Sequence, residues 1–205
     1  VAKIEAPVDM LFNIAGIPPR ADNGALVLAV NLFGLRHLTL ALMPQLADAA
    51  PIVNMASMAG AAWPQNIDEV KTLLSMPNDC DPAAALAALG IDATRAYNLT
   101  KEAVIVWTQF MAAQLIKKGI RINCSLPSPT QTPMMKTFHE TSGKEVVDAA
   151  AEPLGRYTTP EEQAGPLVLI NSDLAGVVNG IVMPVDGGFM GGLATGQVDI
   201  TKMMG

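Results

Sequence analysis

Four short apolar runs constrain the fold of this chain more than any other feature. Each run is rich in Val, Ile, Leu or Met, has the length of a buried strand and ends in small or turn-forming residues. The runs are DMLFNIAG (9–16), PIVNMAS (51–57), IRINCSLPSP (120–129) and GIVMPVDGG (180–188). Because their apolar residues are continuous rather than alternating with polar ones, they indicate a parallel sheet that is covered on both faces.

Helical patterns separate these runs. Apolar residues recur at three- and four-residue spacing at 24–46, 93–119 and 159–173. The second pattern has a candidate N-cap in Asp92 and a terminator in Gly119, and the third opens with Thr159 as its cap. Strands that alternate with helices of this length are joined by right-handed crossovers. We therefore expect a doubly wound α/β sheet and treat residues 1–205 as a single domain.

Two long connections interrupt the pattern. Residues 61–92 follow the second run with two short helical stretches, and residues 133–152 follow the third run in a similar way. Open α/β sheets bind ligands at the carboxyl ends of their strands, where both connections begin. We expect 61–92 to be an insertion that walls the substrate site and 133–152 to be its lid.

The charge and cysteine content exclude several classes of function. A net charge of −6 and a pI near 4.8 argue against a nucleic-acid partner, which requires a basic surface. We expect no membrane span, because the nearest apolar run, 103–116, contains polar residues and is shorter than the roughly 18 residues required. Cys80 and Cys124 lack metal-type spacing, so we expect no zinc site, no disulfide framework and a cytoplasmic location.

A tyrosine and a lysine four residues apart, Tyr97 and Lys101, would share one side of the 93–119 helix. Ser57 ends the second run, at the strand edge where chemistry is expected. A lysine one turn away would stabilise a tyrosine phenolate and lower its pKa from the usual value of about 10. The alternative is that Ser57 only caps a strand end and that Tyr97 is an ordinary half-buried aromatic residue.

Six ordered segments resemble the short-chain dehydrogenase/reductase family over essentially the whole chain. They are NIAG (13–16), VNLFG (30–34), MAS (55–57), YNLTK (97–101), INCSLPSPTQTPM (122–134) and PVDGG (184–188). The YNLTK segment resembles the family's Y-x-x-x-K, and NIAG resembles its N-N-A-G with Ile14 in place of the second Asn. The resemblance implies a Rossmann-like fold and a nicotinamide-dependent oxidoreductase.

The resemblance also implies a role for each matching residue. Tyr97 would be the general acid and base, and Ser57 would hydrogen-bond the reacting oxygen. Lys101 would hold the nicotinamide ribose and lower the pKa of Tyr97, and Asn31 would distort its helix and complete a proton relay through water. The residues expected to bind NAD, with NADP as the alternative, are Asn13, Ala15, Gly16, Tyr97, Lys101, Pro127, Ser128, Thr130 and Thr132. No metal is expected.

Two departures from the family pattern concern the cofactor. The glycine-rich strand–turn–helix unit that holds the pyrophosphate, and separates NAD from NADP, is not among residues 1–205. We therefore expect an incomplete Rossmann-like sheet without its first βαβαβ unit, inactive by itself and with 9–16 as an exposed apolar edge. Ser128 stands where the family has glycine, so a positive φ at this position would be strained.

The segment between Ser57 and Tyr97 is longer than in most of the family. In this it resembles the group of 3α-hydroxysteroid dehydrogenase/carbonyl reductases and coniferyl-alcohol-like dehydrogenases, whose substrates are bulky hydrophobic alcohols and ketones. The side chains that would suit such a pocket, or alternatively only pack onto the body, are Trp63, Leu73, Leu74, Met76, Met134 and Met135. His37 is expected on a helix surface or at a subunit interface, and His139 in the lid near solvent or substrate.

The leading hypothesis is an oxidoreductase that moves a hydride between a nicotinamide cofactor and a secondary or aryl alcohol. A non-catalytic chain that only binds or oligomerises is the alternative, and an epimerase or dehydratase of the same superfamily is a less favoured third hypothesis. The helices at 24–46 and 93–119 carry more apolar surface than one sheet face covers. A homodimer or homotetramer is therefore expected.

Overall fold

The computed structural model describes Ile4 and residues 7–198, which contain one parallel sheet. Its strands are β1 (Leu11–Asn13), β2 (Ile52–Met55), β3 (Ile122–Pro127) and β4 (Val182–Val185). They lie in the order β1-β2-β3-β4, and every neighbouring pair is parallel. The register places Ile52 beside both Leu11 and Ile122. Each of the four apolar runs therefore contains one strand, and the predicted parallel α/β fold is confirmed.

Helices connect the strands. The α-helices are α1 (Gly24–Leu28), α2 (Leu35–Leu42), α3 (Ile67–Ser75), α4 (Pro82–Leu89), α5 (Ala93–Leu115), α6 (Met134–Ser142), α7 (Lys144–Ala151), α8 (Pro160–Ile170) and α9 (Phe189–Ala194). A π-helical segment, Ala29–Gly34, joins α1 to α2 without a break. Short 3-10 segments are Met43–Gln45, Met58–Gly60, Ile116–Lys118, Glu152–Leu154 and Asp173–Ala175. The insertion contains α3 and α4, and the lid contains α6 and α7.

The helix ends follow the predicted capping residues. The Asp92 side chain accepts a hydrogen bond from the Arg95 backbone N–H at 2.7 Å and caps α5. Gly119, with φ of 75°, ends the 3-10 turn after α5 in the left-handed conformation that glycine adopts freely. Thr159 caps α8 in a reciprocal pair with Glu162. Local sequence therefore determines where the two longest predicted helices after the insertion begin.

Apolar side chains cover both faces of the sheet. On one face, Ile52 and Ile122 belong to a large core that includes residues of α1, α2 and α5. On the other face, Val53 packs with Leu167 and Ile170 of α8. Alternate residues of β2 thus point to opposite cores, which requires helices on both sides and explains the continuous apolar runs.

Strand β1 forms one edge of this sheet, since β2 is its only partner among the described residues. Met10, Phe12 and Ile14 are exposed along it, at 45%, 38% and 43%. The predicted exposed apolar edge is therefore present. An edge of this kind offers unpaired backbone groups and apolar side chains to another strand.

One helical stretch among the described residues, Gly24–Gln45, is long and apolar enough by length and composition to cross a membrane, with a mean hydropathy of 1.7. The expectation that 103–116 is the apolar run nearest to a membrane span is therefore wrong by this measure. Within the fold it packs against α5 and carries the buried polar residues Asn31 and Thr39. These contacts are those of a core helix in an α/β protein.

Candidate active site

The end of β2 and the first three turns of α5 bring three of the predicted residues together. Ser57 follows β2 and caps the Met58–Gly60 turn, where its Oγ accepts a hydrogen bond from the Ala59 N–H at 3.2 Å. Tyr97 and Lys101 lie one turn apart on the buried side of α5. The Ser57 hydroxyl is near enough to the Tyr97 phenol to influence its pKa. The predicted serine–tyrosine–lysine group is therefore assembled at the carboxyl edge of the sheet.

Tyr97 is almost completely enclosed. Its side chain lies against the ring of Phe138 in α6, with ring centroids 5.4 Å apart and planes at 62°. Burial raises the pKa of Tyr97 to about 12, and the hydrogen bond with Ser57 opposes part of this rise. Sequence reasoning missed Phe138, because nothing in the lid sequence indicates which of its side chains reaches α5.

Lys101 is buried beside Tyr97, with Nζ 5.8 Å from the ring centroid. Its ammonium group donates to the Met55 carbonyl at 2.9 Å, and burial lowers its pKa to about 8. In this arrangement burial outweighs the hydrogen bond with Ser57, so the pKa of Tyr97 lies above its usual value. The expected lowering of that pKa by Lys101 stays a prediction.

Asn31 lies within the π-helical segment, as the resemblance implied for the helix distortion. Its side chain accepts from the Ile17 N–H at 2.8 Å and donates to the Ile17 carbonyl at 3.0 Å. A Cβ added to Gly16 would lie 3.4 Å from Asn31 Oδ1 and 3.7 Å from Lys101 Nζ. The space beside Gly16 therefore has an ammonium donor and an amide oxygen, a pair that fits the hydroxyl groups of a nicotinamide ribose. The proton relay through Asn31 stays a prediction.

The loop after β3 is held by its own hydroxyl groups. Ser128 is 6% exposed, and its Oγ lies 3.3 Å from Thr158 Oγ1. Its N–H donates to the Val185 carbonyl, and its carbonyl accepts from Thr130 Oγ1 at 2.8 Å. The expected strain at Ser128 is absent, because Ala49 is the one described non-glycine residue with a positive φ. Ser128 thus fastens the loop, and cofactor contacts from Pro127, Thr130 and Thr132 stay predictions.

Asn13 has its side chain inside the protein. Its Nδ2 donates to Thr39 Oγ1 at 2.9 Å and to Asn54 Oδ1 at 2.8 Å. Asn54 in turn donates to Thr108 Oγ1 at 2.8 Å. This buried chain of side chains links β1, β2, α2 and α5, so any contact from Asn13 to a cofactor would come from its backbone. Ala15, close to the end of the strand, is exposed.

The candidate substrate residues divide into two groups. Leu73 is fully buried, and Trp63, Leu74 and Met76 pack partly buried against the same main core. These four pack the insertion onto the body, as the second of the two alternatives has it, and a substrate contact from Trp63 stays a prediction. Met134 and Met135 lie half-buried at the start of the lid helix α6 and stay candidates for the substrate pocket.

The two histidines differ in environment. His37 is exposed on α2, as predicted. His139 is half-buried in the lid, where Nε2 lies 2.9 Å from the hydroxyl of Tyr157, which in turn hydrogen-bonds Asp148. The described residues contain no cluster of metal-ligating side chains. His139 therefore joins α6 to α7 and to the loop before α8.

Comparison with known proteins agrees with this architecture. A family model described as enoyl-(acyl carrier protein) reductase matches residues 83–190, more than half of the chain. The chain is 33% identical over 189 residues to coniferyl-alcohol dehydrogenase of Pseudomonas sp. strain HR199, covering 92% of this chain and 74% of that protein. It is 27% identical over 194 residues to 3-alpha-hydroxysteroid dehydrogenase/carbonyl reductase of Comamonas testosteroni, covering 92% and 75%.

A solved structure has a similar fold. The crystal structure of the 3-alpha-hydroxysteroid dehydrogenase from Pseudomonas sp. B-0831, complexed with NADH, superimposes with a TM-score of 0.77 and 25% identity. The alignment covers 94% of this chain and 76% of that one. The chain thus spans about three quarters of the length of each of these three proteins.

Proposed function

Because the chain belongs to the short-chain dehydrogenase/reductase family, we propose that it interconverts a hydrophobic alcohol and its carbonyl compound with a nicotinamide cofactor. The observation that carries this proposal is the assembly of Ser57, Tyr97 and Lys101 at the carboxyl edge of the sheet. We propose NAD as the cofactor and NADP as the alternative. Its relatives include alcohol and steroid dehydrogenases.

The residues present fit such a cofactor. When bound, NAD supplies the acceptor for the substrate hydride, and NADH supplies the donor in the reverse direction. Lys101 and the backbone at Gly16 would hold the ribose. Gly16 has no Cβ, which leaves room for the ribose beside the Lys101 ammonium. The loop Pro127–Thr132, fixed by the hydroxyl contacts of Ser128, would orient the nicotinamide amide.

The protein's own part is proton transfer at the substrate oxygen. During oxidation the Ser57 hydroxyl binds the substrate oxygen, and the Tyr97 phenolate accepts its proton. Burial raises the pKa of Tyr97 to about 12, so very little of its phenolate is present at neutral pH. The reaction therefore needs the neighbouring Lys101 ammonium to stabilise the phenolate, which is an electrostatic effect that grows in a dry site. Reduction runs the same steps in reverse.

The proposed substrate class is a secondary or aryl alcohol with a bulky hydrophobic body. The dehydrogenases similar to this chain are named for coniferyl alcohol and for 3α-hydroxysteroids. The lid also places an aromatic ring, Phe138, directly on the ring of Tyr97, and Met134 and Met135 lie one turn before it. Flexible methionines and an aromatic ring favour flat apolar substrates.

The first test replaces the proposed acid–base residue. In the complete product of the gene that encodes residues 1–205, Tyr97→Phe should lower the rate of NADH formation from coniferyl alcohol or a 3α-hydroxysteroid at least about a hundredfold. Its affinity for NADH should change by less than about twofold, since the ring remains. Tyr157→Phe, at the chain's other tyrosine, is the matched control and should retain turnover. Equal activity in the two variants would contradict the proposal.

The second test concerns the segment itself. Residues 1–205 include no glycine-rich turn before a helix that would bind a pyrophosphate. We therefore expect residues 1–205, expressed alone, to show no NAD-dependent turnover with the same alcohols. Robust turnover by this segment would disprove the expectation. Inactivity of the complete gene product as well would favour the alternative of a non-catalytic binding or oligomerising protein.

We also propose a homodimer or homotetramer in the cytoplasm. Exposed apolar residues on the two long helices support the assembly: Leu26, Leu38, Leu40, Phe110 and Ile116. The cytoplasmic proposal rests on the nicotinamide cofactor and on Cys80 and Cys124, which are both free thiols.

A further inference from the structure

Glu102 is a buried carboxylate that the proposed proton transfer does not use. It follows Lys101 directly in α5, and its side chain is 1% exposed. A carboxylate in such a place requires charged or polar partners, since burying it alone is very unfavourable. The hydrogen-bond partners of Glu102 therefore indicate its role in the structure.

Glu102 binds two elements of the structure at once. Both of its oxygens accept from Arg95, at 3.0 Å from Nη1 and 2.8 Å from Nη2. Its Oε1 also accepts from Asn66 Nδ2 at 2.8 Å. Arg95 extends the contact to Glu69 of α3, 3.1 Å from its Nε. These four residues form a clamp, Asn66–Glu69–Arg95–Glu102, between the start of the insertion and the helix of Tyr97.

A second contact ties the same segment to the same helix. A Cβ added to Gly60 would lie 2.7 Å from both the carbonyl carbon and oxygen of Lys101, and 2.9 Å from the Glu102 nitrogen. The backbone of the Met58–Gly60 turn therefore lies directly on the backbone of α5. Only glycine allows this approach, because the obstructing atoms are main chain and have no rotamer to change.

The segment 57–66 transmits these two contacts to Ser57. Consecutive backbone hydrogen bonds connect Gly60 to Ser57, Trp63 to Gly60 and Asn66 to Trp63. The segment is therefore a continuous series of turns that begins at Ser57 and ends at Asn66, whose side chain donates to Glu102.

We propose that Arg95 and Glu102 are positioning residues that act through segment 57–66 to hold the Ser57 hydroxyl against Tyr97. The proposal rests on the proposed function, since it names what orients that site. Arg95 lies two residues before Tyr97, and Glu102 one residue after Lys101, so the clamp spans the catalytic turn of α5. A buried ion pair is often no more stabilising than an apolar pair of the same volume. Orientation is what the hydrogen-bonded pair adds here, because its bonds are directional.

A double-mutant cycle in the complete gene product tests this action through Ser57. We expect Ser57→Ala to lower kcat about a hundredfold and Glu102→Gln about tenfold, with NADH affinity nearly unchanged. The double variant should match Ser57→Ala to within about twofold, because the clamp has nothing to orient once the hydroxyl is gone. Multiplication of the two losses, to about a thousandfold, would overturn the proposal.

Two further variants isolate the clamp from general damage. Arg95→Lys keeps the positive charge but loses the planar fork that bridges Glu69 and Glu102, so it should behave like Glu102→Gln. Asp68→Asn, beside Glu69 on α3 with a side chain 99% exposed, should leave kcat unchanged. A normal kcat in Arg95→Lys, or an equal loss in Asp68→Asn, would contradict the assigned role.

An activity-independent measurement separates this proposal from the proposed function. Amide hydrogen exchange in residues 57–66 should become faster in Glu102→Gln than in Asp68→Asn, while exchange in α8 stays the same. If the complete protein oxidises none of the probe alcohols, the proposed function fails and exchange decides the positioning role alone. Unchanged exchange in 57–66 would overturn that role whatever the activity.

Discussion

Lys101 shows at the residue scale how a proposed catalytic group can oppose the stability of its own fold. Burial lowers its pKa from 10.5 to about 8, so the ammonium form is less favourable in the folded protein than in the unfolded chain. The unfolded chain therefore binds the proton more strongly than the folded protein. Below about pH 8 this difference lowers the free energy of unfolding by its full amount. The cost disappears as the pH rises from about 8 towards 10.5. It amounts to about 3 kcal/mol at most.

We therefore expect Lys101→Met to abolish turnover and to raise the free energy of unfolding near pH 7 by about 1–2 kcal/mol, after the lost Met55 hydrogen bond is subtracted. The gain should shrink when urea unfolding is measured at pH 9.5. The neutral form of Tyr97 is favoured until the pH approaches 12, so its ionisation contributes equally to the stability of the wild-type protein and of Lys101→Met. Lys118→Met, at an exposed lysine, is the control and should show no such pH dependence.

The π-helical segment and the turn after Ser57 show, at the element scale, how irregular backbone positions the site. Asn31 lies in the six residues of π-helix, and its amide joins the helix to the loop after β1. Gly60 lies backbone to backbone on α5. Both features occur where a regular helix or an ordinary side chain would separate elements that have to meet.

Gly60→Ala should destabilise the protein by about 2 kcal/mol or more, since its Cβ would overlap the main chain at Lys101. Gly165→Ala is the matched control, because Gly165 lies inside α8 with no atom near its added Cβ. There the change should stabilise by about 0.5–1 kcal/mol through the higher helix propensity of alanine. Thermal unfolding of the two variants distinguishes these effects, and equal melting temperatures would show that the close contact is not rigid.

At the scale of the whole molecule, apolar surface remains on the two long helices after the sheet has been covered. Phe110 of α5 is 61% exposed, and Leu40 of α2 is 43% exposed. An isolated subunit would leave these side chains in water. Burying each of them in a contact would stabilise an assembly by about 2 kcal/mol. Pairing of the helices between subunits in a symmetric assembly would cover them.

Phe110→Glu combined with Leu40→Glu should therefore convert the proposed oligomer into monomers, as measured by sedimentation velocity. The buried carboxylates would have no partners in the contact. Ala88→Glu, an exposed position on α4, is the control and should leave the assembly unchanged. A wild-type protein that sediments as a monomer would contradict the prediction directly.

The sequence by itself determined the regular elements of this protein. Continuous apolar runs become parallel strands, and Asp92 and Thr159 start their helices, because both effects depend on neighbours within a few residues. The spacing of Tyr97 and Lys101 likewise follows from one turn of helix. These are local interactions, and they can be recognised without knowing the rest of the fold.

Only the tertiary structure decided how those elements meet. It placed Phe138 on Tyr97, joined Glu102 to Asn66 and Arg95, and turned the Ser128 hydroxyl towards Thr158. It also buried the Tyr97 phenol, which raises its pKa to about 12, since burial depends on every element that packs around the ring. Contacts across many residues of sequence and desolvation are properties of the assembled core, and no local pattern in the chain encodes them.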